Sequence, residues 1–387
     1  MKIALFAHNL HGGGGLTLGR QIVDRLTELA PEHSFVVTVP ENRGYDFLRE
    51  RKNVEIREFP LGSYRARYRC EKEVCAYLNS WGCDWAWWLG NLGFAFPNCR
   101  QSVYIRTAYA VDYPLANWGT SFWDWKFRLR RYVDNIMIRR TLNRCERAFV
   151  QTNTMRTRLL RSYPFLKEEN VGLCAGRPLF KGACEEPSAK TLELVRNLNE
   201  KDAGKFRFLY VSMIAPHKNT TRIVEMFRKY CDELHDVVLY ITASKENGAG
   251  KELWKKIEQY GLTESIRLLG VFPQKDVPPL FQNADAVFFP TLLETIGHGH
   301  NDALFFERPL IASDLDFARE ICGDAALFVD PFSLESMKNG MLRIKNDGDL
   351  REELVKRGKA RVENAYSTWE EILGGVLRFE GIDHERL

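Results

Sequence analysis

The chain has 387 residues, which is more than a single hydrophobic core usually supports, so two domains are expected. Its apolar content of 45% and charged content of 27% are ordinary for a globular protein and exclude a disordered or low-complexity chain. Residues 1–181 hold 28 Lys and Arg against 17 Asp and Glu, a net +11, and since the whole chain carries +4 the remainder carries −7. The basic first half therefore predicts contact with an anionic partner.

The N-terminus and the cysteines predict a cytoplasmic protein. The apolar run after Lys2 is too short for a secretory signal, and no apolar run approaches the roughly 20 residues that span a membrane. The nine cysteines are scattered without a CxxC pair, which indicates reduced thiols and no zinc site.

Strand and helix patterns alternate along the first half of the chain. The first strand, 2–7, leads into a glycine-rich loop and a helix over 16–29. Short strands follow at 34–39, 54–59, 84–89, 102–107, 147–152 and 171–176, with helical stretches between several of them. Such βαβ repetition predicts a parallel, doubly wound sheet.

The alternation restarts after a polar segment that contains Pro187 and Gly204. Strands are predicted at 206–213, 236–243, 265–270, 286–290 and 309–313, and helices at 219–234, 251–262, 278–283, 333–346, 350–366 and 368–380. Asn219 or Thr220 is the predicted N-cap of the first of these helices. We therefore predict a Rossmann-like domain over 1–183, a linker over 184–204, a second Rossmann-like domain over 205–366 and a C-terminal segment over 367–387. A ligand cleft between the domains is expected.

Two loops that connect a strand to a helix are candidate anion sites. Glycines 12–15 open the first helix, where the backbone can approach a phosphate and the helix N-terminus attracts an anion. The run matches neither GxGxxG nor a P-loop, so a flexible turn is the alternative for Gly13 and Gly14. In the segment 212–219, Lys218 precedes a helix and could meet an anion there, with a solvated lysine as the alternative.

The segment 292–314 concentrates polar groups before and within a helix expected at 300–307: Glu294, Gly297, His298, Gly299, His300, Asn301 and Asp302. Glycines permit close approach of a ligand, and backbone N–H groups in the first turn of a helix are unpaired. A ligand site is therefore predicted. A metal site made by the two histidines with one of the acids lacks a convincing third ligand at a known spacing, and a structural loop is the other alternative.

Residues 118–161 combine aromatic and basic side chains. The part from 122 to 161 holds 11 Lys and Arg against 3 Asp and Glu. The pattern around Trp123, Trp125, Arg128 and Arg131 predicts a helix at a membrane surface, where rings lie among headgroups and arginines meet phosphates. A helix with its aromatics in the core is the alternative, and nucleic acid is disfavoured because no nucleic-acid motif is present.

These segments, taken in order, resemble the retaining glycosyltransferases of family 4, which have the GT-B fold of two Rossmann-like domains facing a central cleft. The resemblance covers nearly the whole chain. In "ETIGHGHNDALFFERPLIASD", Glu294 and Asp302 fall on the two acids of the family signature, and Gly297 falls on its glycine. In "FLYVSMIAPHKN", Lys218 falls on the family lysine. The resemblance also implies a C-terminal helix that returns to the first domain.

The resemblance implies transfer of a sugar from a nucleotide sugar to a hydroxyl with retention, without a metal or other cofactor. Lys218 and Glu294 would be catalytic, with Glu294 on the sugar and Lys218 on the diphosphate. The other implied donor-binding residues are Gly13, Gly14, Phe272, Gly297, His298, Gly299, His300 and Asp302, with Asp302 on the ribose. The acceptor would be a glycan or a lipid-linked sugar, reached from the inner face of the cell membrane.

Two departures from the family pattern affect this interpretation. Met213 stands where the family usually has an arginine, and no histidine follows the middle strand of the first domain. Arg106 or Asp112 is the candidate to occupy the place of that histidine, so Arg106 joins the candidate acceptor contacts. The departures keep a non-catalytic sugar-nucleotide-binding protein as an alternative. A Rossmann-type oxidoreductase is less favoured because the dinucleotide fingerprint is missing.

Overall fold

The computed structural model describes residues 1–10, 13–60, 63–111, 125–175, 186–246, 248–365 and 368–382. These residues form two compact units, and each unit contains its own parallel β-sheet. The predicted α/β class with two doubly wound domains is confirmed. Among the described helices, none combines the length and the apolar character needed to cross a bilayer.

Among its described residues, the first unit contains a seven-stranded sheet and five α-helices. Its strands are β1 (Lys2–Phe6), β2 (Ser34–Pro40), β3 (Val54–Phe59), β4 (Trp85–Trp88), β5 (Arg100–Tyr104), β6 (Arg147–Val150) and β7 (Val171–Leu173). Its helices are α1 (Gly13–Leu29), α2 (Tyr64–Trp81), α3 (Trp125–Leu142), α4 (Asn153–Ser162) and the C-terminal helix Trp369–Phe379.

In the described part of the second unit there are a six-stranded sheet and eight α-helices. Its strands are β8 (Phe206–Tyr210), β9 (Val237–Ile241), β10 (Ile266–Leu268), β11 (Ala286–Phe289), β12 (Leu310–Ser313) and β13 (Leu327–Val329). Its helices are α5 (Ala189–Lys201), α6 (Thr220–Lys229), α7 (Gly248–Gln259), α8 (Pro278–Asn283), α9 (His298–Phe305), α10 (Asp316–Cys322), α11 (Leu334–Asn346) and α12 (Gly348–Ala365). The C-terminal helix is therefore α13.

Both sheets are wholly parallel, and their strand orders reverse once. The first sheet runs β3-β2-β1-β4-β5-β6-β7 and the second runs β10-β9-β8-β11-β12-β13. The strands read as short continuous apolar runs because helices cover both faces of such a sheet, as in the fully buried Trp85–Trp88. In doubly wound folds ligands bind at the carboxyl ends of the strands where the order reverses. These places are β1/β4 in the first unit and β8/β11 in the second.

The C-terminal helix α13 packs on the first unit, as the resemblance predicted. Thr368 and Glu371 form a capping box at its start. Leu373, Val376 and Leu377 are fully buried in the core of the first unit. Burial of this apolar face, at roughly 25 cal/mol per Å², accounts for the return of the chain to the first unit.

The structure differs from the sequence expectations at several places, three of which concern the overall fold. The segment predicted as the linker 184–204 contains α5, which belongs to the second unit because the Ser188 backbone and hydroxyl both donate to Asp276. The first helix begins at Gly13 rather than 16, so its glycines form its first turn. Strand β13 was not predicted, since three residues leave too short a pattern to recognise.

Candidate active site

The polar residues of the second unit meet at the β8/β11 reversal point. Lys218 follows β8 and Glu294 follows β11, and these strands are neighbours in the sheet although β9 and β10 lie between them in the chain. The Lys218 Nζ lies 2.6 Å from the Glu294 Oε1. The side chains are 19% and 15% exposed, so this ion pair is largely removed from bulk solvent while remaining reachable.

Two hydrogen bonds join the loops after β8 and β11, and two more tie the first of these loops to its surroundings. The Leu292 N–H donates to the His217 carbonyl at 2.7 Å, and the Asn219 amide donates to the carbonyls of Pro290 and Pro331. The Tyr210 hydroxyl donates to the Lys218 carbonyl at 2.5 Å. Since all four bonds end on backbone carbonyls, the fold fixes the loops that carry Lys218 and Glu294.

Asn219 occupies the predicted N-cap position, but its side chain joins loops instead of capping the helix. It adopts a left-handed backbone conformation with φ of 60°, and its side chain makes no capping hydrogen bond. Its amide instead joins the loops after β8, β11 and β13. The sequence pattern predicts Asn219 as an N-cap, but it cannot predict hydrogen bonds to carbonyls that are distant in the chain.

The charges around Glu294 favour its ionised form. Burial raises the pKa of Glu294, but the charges of Lys218, His217 and His300 outweigh burial and hold that pKa below its usual value. Glu294 is therefore a carboxylate at neutral pH. A carboxylate can accept two strong hydrogen bonds from neighbouring hydroxyls of a ligand.

The glycines of α9 are each required by their surroundings. Gly297 precedes the helix with φ of 56°, a conformation that costs an L-residue free energy. A Cβ at Gly299 would lie 2.5 Å from the Phe289 ring. The helix begins at His298 rather than 300, which places both histidines in its first turn.

His300 is a buried, neutral imidazole. It is 1% exposed and lies against the Phe289 and Phe317 rings at centroid distances of 5.2 and 6.3 Å. Burial lowers the pKa of His300 to about 4, with Glu294 opposing this shift. Its Nε2 has no hydrogen-bond partner among the described residues. Such a group costs about 1–3 kcal/mol unless a ligand or a water meets it.

The other donor-site candidates of the second unit differ in exposure. Asp302 is buried in α9 and is 4% exposed. His298 is partly buried and Phe272 packs at the edge of the core. Met213, at the position of the missing family arginine, is 76% exposed and supplies no charge. Their roles stay predictions.

The candidates of the first unit are only partly described. Gly13 and Gly14 lie in the first turn of α1. The Arg106 Nη1 donates to the Gly15 carbonyl at 2.9 Å, so Arg106 lies beside that turn. Arg131 lies on α3, pairs with Asp134 at 3.4 Å and stacks on Tyr109.

Some of the predicted acceptor or membrane contacts lie outside the described residues. Trp123 and Asp112 lie outside the described residues, as do the side chains of Trp125 and Arg128 at the start of α3. Among the described residues, no group of three or more His, Cys, Asp or Glu side chains is arranged to hold a metal ion.

Comparison with known families supports the resemblance. Residues 193–361 match the family described as "Glycosyl transferases group 1". The O-antigen chain mannosyltransferase B of Escherichia coli is 25% identical over 162 residues, or 42% of each chain. The alpha-D-kanosaminyltransferase of Streptomyces kanamyceticus is 24% identical over 161 residues, or 41% of each chain. The chain thus spans about two fifths of the length of these curated relatives.

Solved structures resemble the chain over almost its full length. Anabaena Alr3699/HepE in complex with UDP and glucose has a TM-score of 0.72 at 14% identity, covering 98% of this chain and 99% of that one. WaaG, a glycosyltransferase involved in lipopolysaccharide biosynthesis, has a TM-score of 0.67 at 16% identity, covering 98% and 100%. At such low identity the likeness speaks to the fold, and the predicted GT-B fold is confirmed.

Proposed function

We propose, from the premise that residues 193–361 form a glycosyl transferases group 1 domain, that this protein is a retaining glycosyltransferase. It moves a sugar from a nucleotide-sugar donor to a hydroxyl of an acceptor. The observation that carries the proposal is the pairing of Lys218 and Glu294 at 2.6 Å at the β8/β11 reversal point. A cation and a carboxylate side by side can meet the two unlike ends of one donor, its diphosphate and its sugar.

In the proposed reaction the bond between the anomeric carbon and the diphosphate oxygen breaks. The electron pair leaves with the nucleoside diphosphate, and Lys218 stabilises the charge that develops there. The acceptor hydroxyl attacks the same face of the sugar and its proton passes to the departing phosphate oxygen. Glu294 accepts hydrogen bonds from sugar hydroxyls and orients the ring, which lowers the barrier by positioning.

We assign the remaining donor contacts from the positions of the residues in the second unit. Asp302 accepts from the ribose hydroxyls and Phe272 lies beside the base. The first turn of α9, with Gly297 and Gly299, lets the backbone approach the donor closely. We propose that no metal takes part, since Lys218 and helix N-termini supply the positive charge.

A panel of UDP-, GDP-, ADP- and dTDP-sugars tests the proposal by calorimetry and by donor hydrolysis. We expect at least one donor to bind and to be hydrolysed slowly, and both signals to weaken at least tenfold in Lys218→Met. The matched control is Lys255→Met, an exposed lysine on α7. Absence of binding to every donor would refute the proposal.

We further propose that the acceptor is a lipid-linked or surface glycan, reached from the inner face of the cell membrane. The Escherichia coli relative is named for the O-antigen chain, and the similar structure WaaG is described as a glycosyltransferase involved in lipopolysaccharide biosynthesis. Helix α3 supports membrane contact, because four apolar side chains at helical spacing are exposed between 42% and 66%: Leu129, Tyr132, Val133 and Ile136. Its sequence holds six basic residues and one acid. An exposed apolar stripe with basic neighbours fits an anionic bilayer surface.

Liposome flotation tests this contact with vesicles that contain anionic lipid or zwitterionic lipid alone. We expect recovery with anionic vesicles at low salt, a loss at high salt, and weaker flotation of the double variant Leu129→Ser/Ile136→Ser. The control is Leu192→Ser, which changes an exposed leucine of α5. Equal recovery at both salt concentrations would contradict an electrostatic contact.

One observation favours a non-catalytic protein that binds a sugar nucleotide. Met213 is 76% exposed where a second cation is usual, so the diphosphate has fewer charges to meet in the second unit. Donor binding without any turnover, with a full panel of acceptors, would favour this alternative over transfer.

A further inference from the structure

Arg106 is held rigidly at the carboxyl end of β5. Its backbone N–H and that of Thr107 both donate to the Asn91 Oδ1, at 2.6 and 3.0 Å. Its Nη1 donates to the Gly15 carbonyl and its guanidinium lies 5.6 Å from the centroid of the Tyr104 ring. The side chain is therefore fixed beside the first turn of α1.

This guanidinium has no counter-charge in the part of the chain that the structure describes. Its Nε is buried and has no hydrogen-bond partner there. Burial lowers the pKa of Arg106, and the groups that oppose the shift are Tyr104, Tyr45 and Cys174, none of which is a carboxyl group. Arg106 is partly buried, so its charge is only partly hydrated and has no anionic partner among the described residues, which leaves it available to an anion.

Tyr45 is a second donor in the same place. It is 4% exposed and its hydroxyl has no hydrogen-bond partner among the described residues. A Cβ at Gly19 would lie 3.5 Å from the Tyr45 hydroxyl, and a Cβ at Gly15, four residues earlier on α1, would lie 3.7 Å from the Arg106 guanidinium, so both side chains lie along the same part of α1. Burial raises the pKa of Tyr45 to about 12, although the charges of Arg106 and Arg20 oppose this shift. The hydroxyl is thus protonated at neutral pH and able to donate.

Helix α1 adds backbone donors to this cluster. Its first turn contains no acidic residue, and the first four N–H groups of a helix lack intrahelical partners. The 17-residue helix places a partial positive charge at that end. Since α1 follows β1 and Arg106 follows β5, the cluster lies at the carboxyl edge beside the β1/β4 reversal point, where doubly wound sheets bind ligands.

We propose that Arg106, the Tyr45 hydroxyl and the first turn of α1 form an oxyanion site that receives a carboxylate or phosphate group on a sugar. Every group in the site is a donor or a positive charge, and the planar guanidinium matches the paired oxygens of either anion. That the sugar is a substrate rests on the proposed glycosyltransferase function. The anion site itself does not, because it belongs to the first unit and uses none of the residues around Lys218.

The site can be tested with small probes. Binding of sodium D-glucuronate, α-D-glucose 1-phosphate and inorganic phosphate is measured by calorimetry or ligand-observed NMR, with D-glucose as the neutral probe. We expect at least one sugar anion to bind in the low millimolar range and D-glucose not to bind. Preference for glucuronate assigns a carboxylate, and preference for the two phosphates assigns a phosphate.

Variants locate the bound anion. Arg106→Met should weaken binding at least tenfold and Tyr45→Phe at least threefold, while the controls Arg25→Met and Tyr68→Phe, at exposed positions, change nothing. If Arg106→Met does not fold, Arg106→Lys takes its place with the same direction of effect. Arg106 also contacts the Gly15 backbone, so Tyr45→Phe is the variant that separates anion binding from support of α1.

The proposal is overturned if no anion binds up to 20-fold above the expected range, or if Arg106→Met and Tyr45→Phe bind as the wild type does. It is also overturned if Lys218→Met, and not Arg106→Met, abolishes the signal, because the anion then occupies the second unit. Failure of every nucleotide sugar to bind, with anion binding intact, would refute the proposed transferase and leave this site in place.

Discussion

The two units each place a cation at the point where their strand order reverses, and the two cations are compensated differently. Lys218 has its carboxylate, Glu294, at 2.6 Å. Arg106 has a carbonyl, an aromatic ring and buried phenols, and no carboxylate among the described residues. A paired cation must exchange its partner when a ligand arrives, whereas an unpaired one is ready for an anion. In the second unit an arriving anion must therefore compete with Glu294 for Lys218. In the first unit an anion can bind Arg106 without displacing a carboxylate.

The largest effect is expected on turnover. Glu294→Gln keeps the shape of the side chain and removes the charge that pairs with Lys218 and orients the sugar. We expect kcat to fall about 100- to 1000-fold with an identified donor and acceptor. Glu252→Gln, an exposed glutamate on α7, is the control. Turnover within threefold of the wild type would show that Glu294 takes no part in catalysis. The Lys218–Glu294 ion pair would then be structural.

The next effect concerns the pH dependence of stability. A buried histidine with a folded pKa of about 4 and an unfolded value of 6.5 leaves the unfolded chain binding more protons between these values. Stability that is present above pH 6.5 is therefore lost as the pH falls towards 4, by about 3 kcal/mol in total from this group.

Urea unfolding of the wild type and of His300→Leu at pH 7.5 and pH 4.5 measures this contribution. The variant should lose about 2–3 kcal/mol less than the wild type over that interval, because leucine takes up no proton. An identical loss in both proteins would mean that the imidazole is not held neutral by the fold.

The next prediction compares the change in stability when each of the two cations is removed. Lys218→Met leaves Glu294 buried without its counter-charge, so we expect a loss of about 2 kcal/mol, moderated by the partial exposure of the pair. Arg106→Met removes a charge that has no carboxylate partner, which favours the variant, and one hydrogen bond to the Gly15 carbonyl, which disfavours it, so the net change should stay within about 1 kcal/mol. Thermal and urea unfolding of both variants decide this. Equal losses would show that the contrast between compensated and uncompensated cations has no energetic basis.

The last prediction compares one glycine in each unit, with expected effects of opposite sign. In Gly299→Ala the new methyl meets the buried Phe289 ring at 2.5 Å, which should destabilise the protein by about 1–3 kcal/mol. In Gly375→Ala, on α13, nothing lies within 4 Å of the new methyl, and a gain of about 0.5–1 kcal/mol is expected. Opposite shifts in melting temperature are the expected outcome. A gain from Gly299→Ala would mean that α9 has room to move away from Phe289.

Much of the fold could be predicted because its strands are buried on both faces. Continuous apolar runs such as the one around Trp85–Trp88, separated by amphipathic helices, indicate a parallel sheet without further information. The sequence did not predict elements whose pattern is short or polar. Examples are the three-residue β13 and helix α5, whose polar composition is typical of a linker. Burial of only a few positions leaves little periodicity to detect.

The sequence by itself determined two doubly wound units, a glycine-rich start to α1, and the chemical character of Lys218, Glu294 and the segment 297–302. Those properties depend on local pattern and residue type, which a chain carries before it folds. Tertiary structure alone decided that Lys218 meets Glu294, that Asn219 joins three loops, and that Arg106 has no carboxylate partner among the described residues. Each of these is a relation between strands that are neighbours in a sheet and distant in the chain, and spacing along the sequence does not encode it.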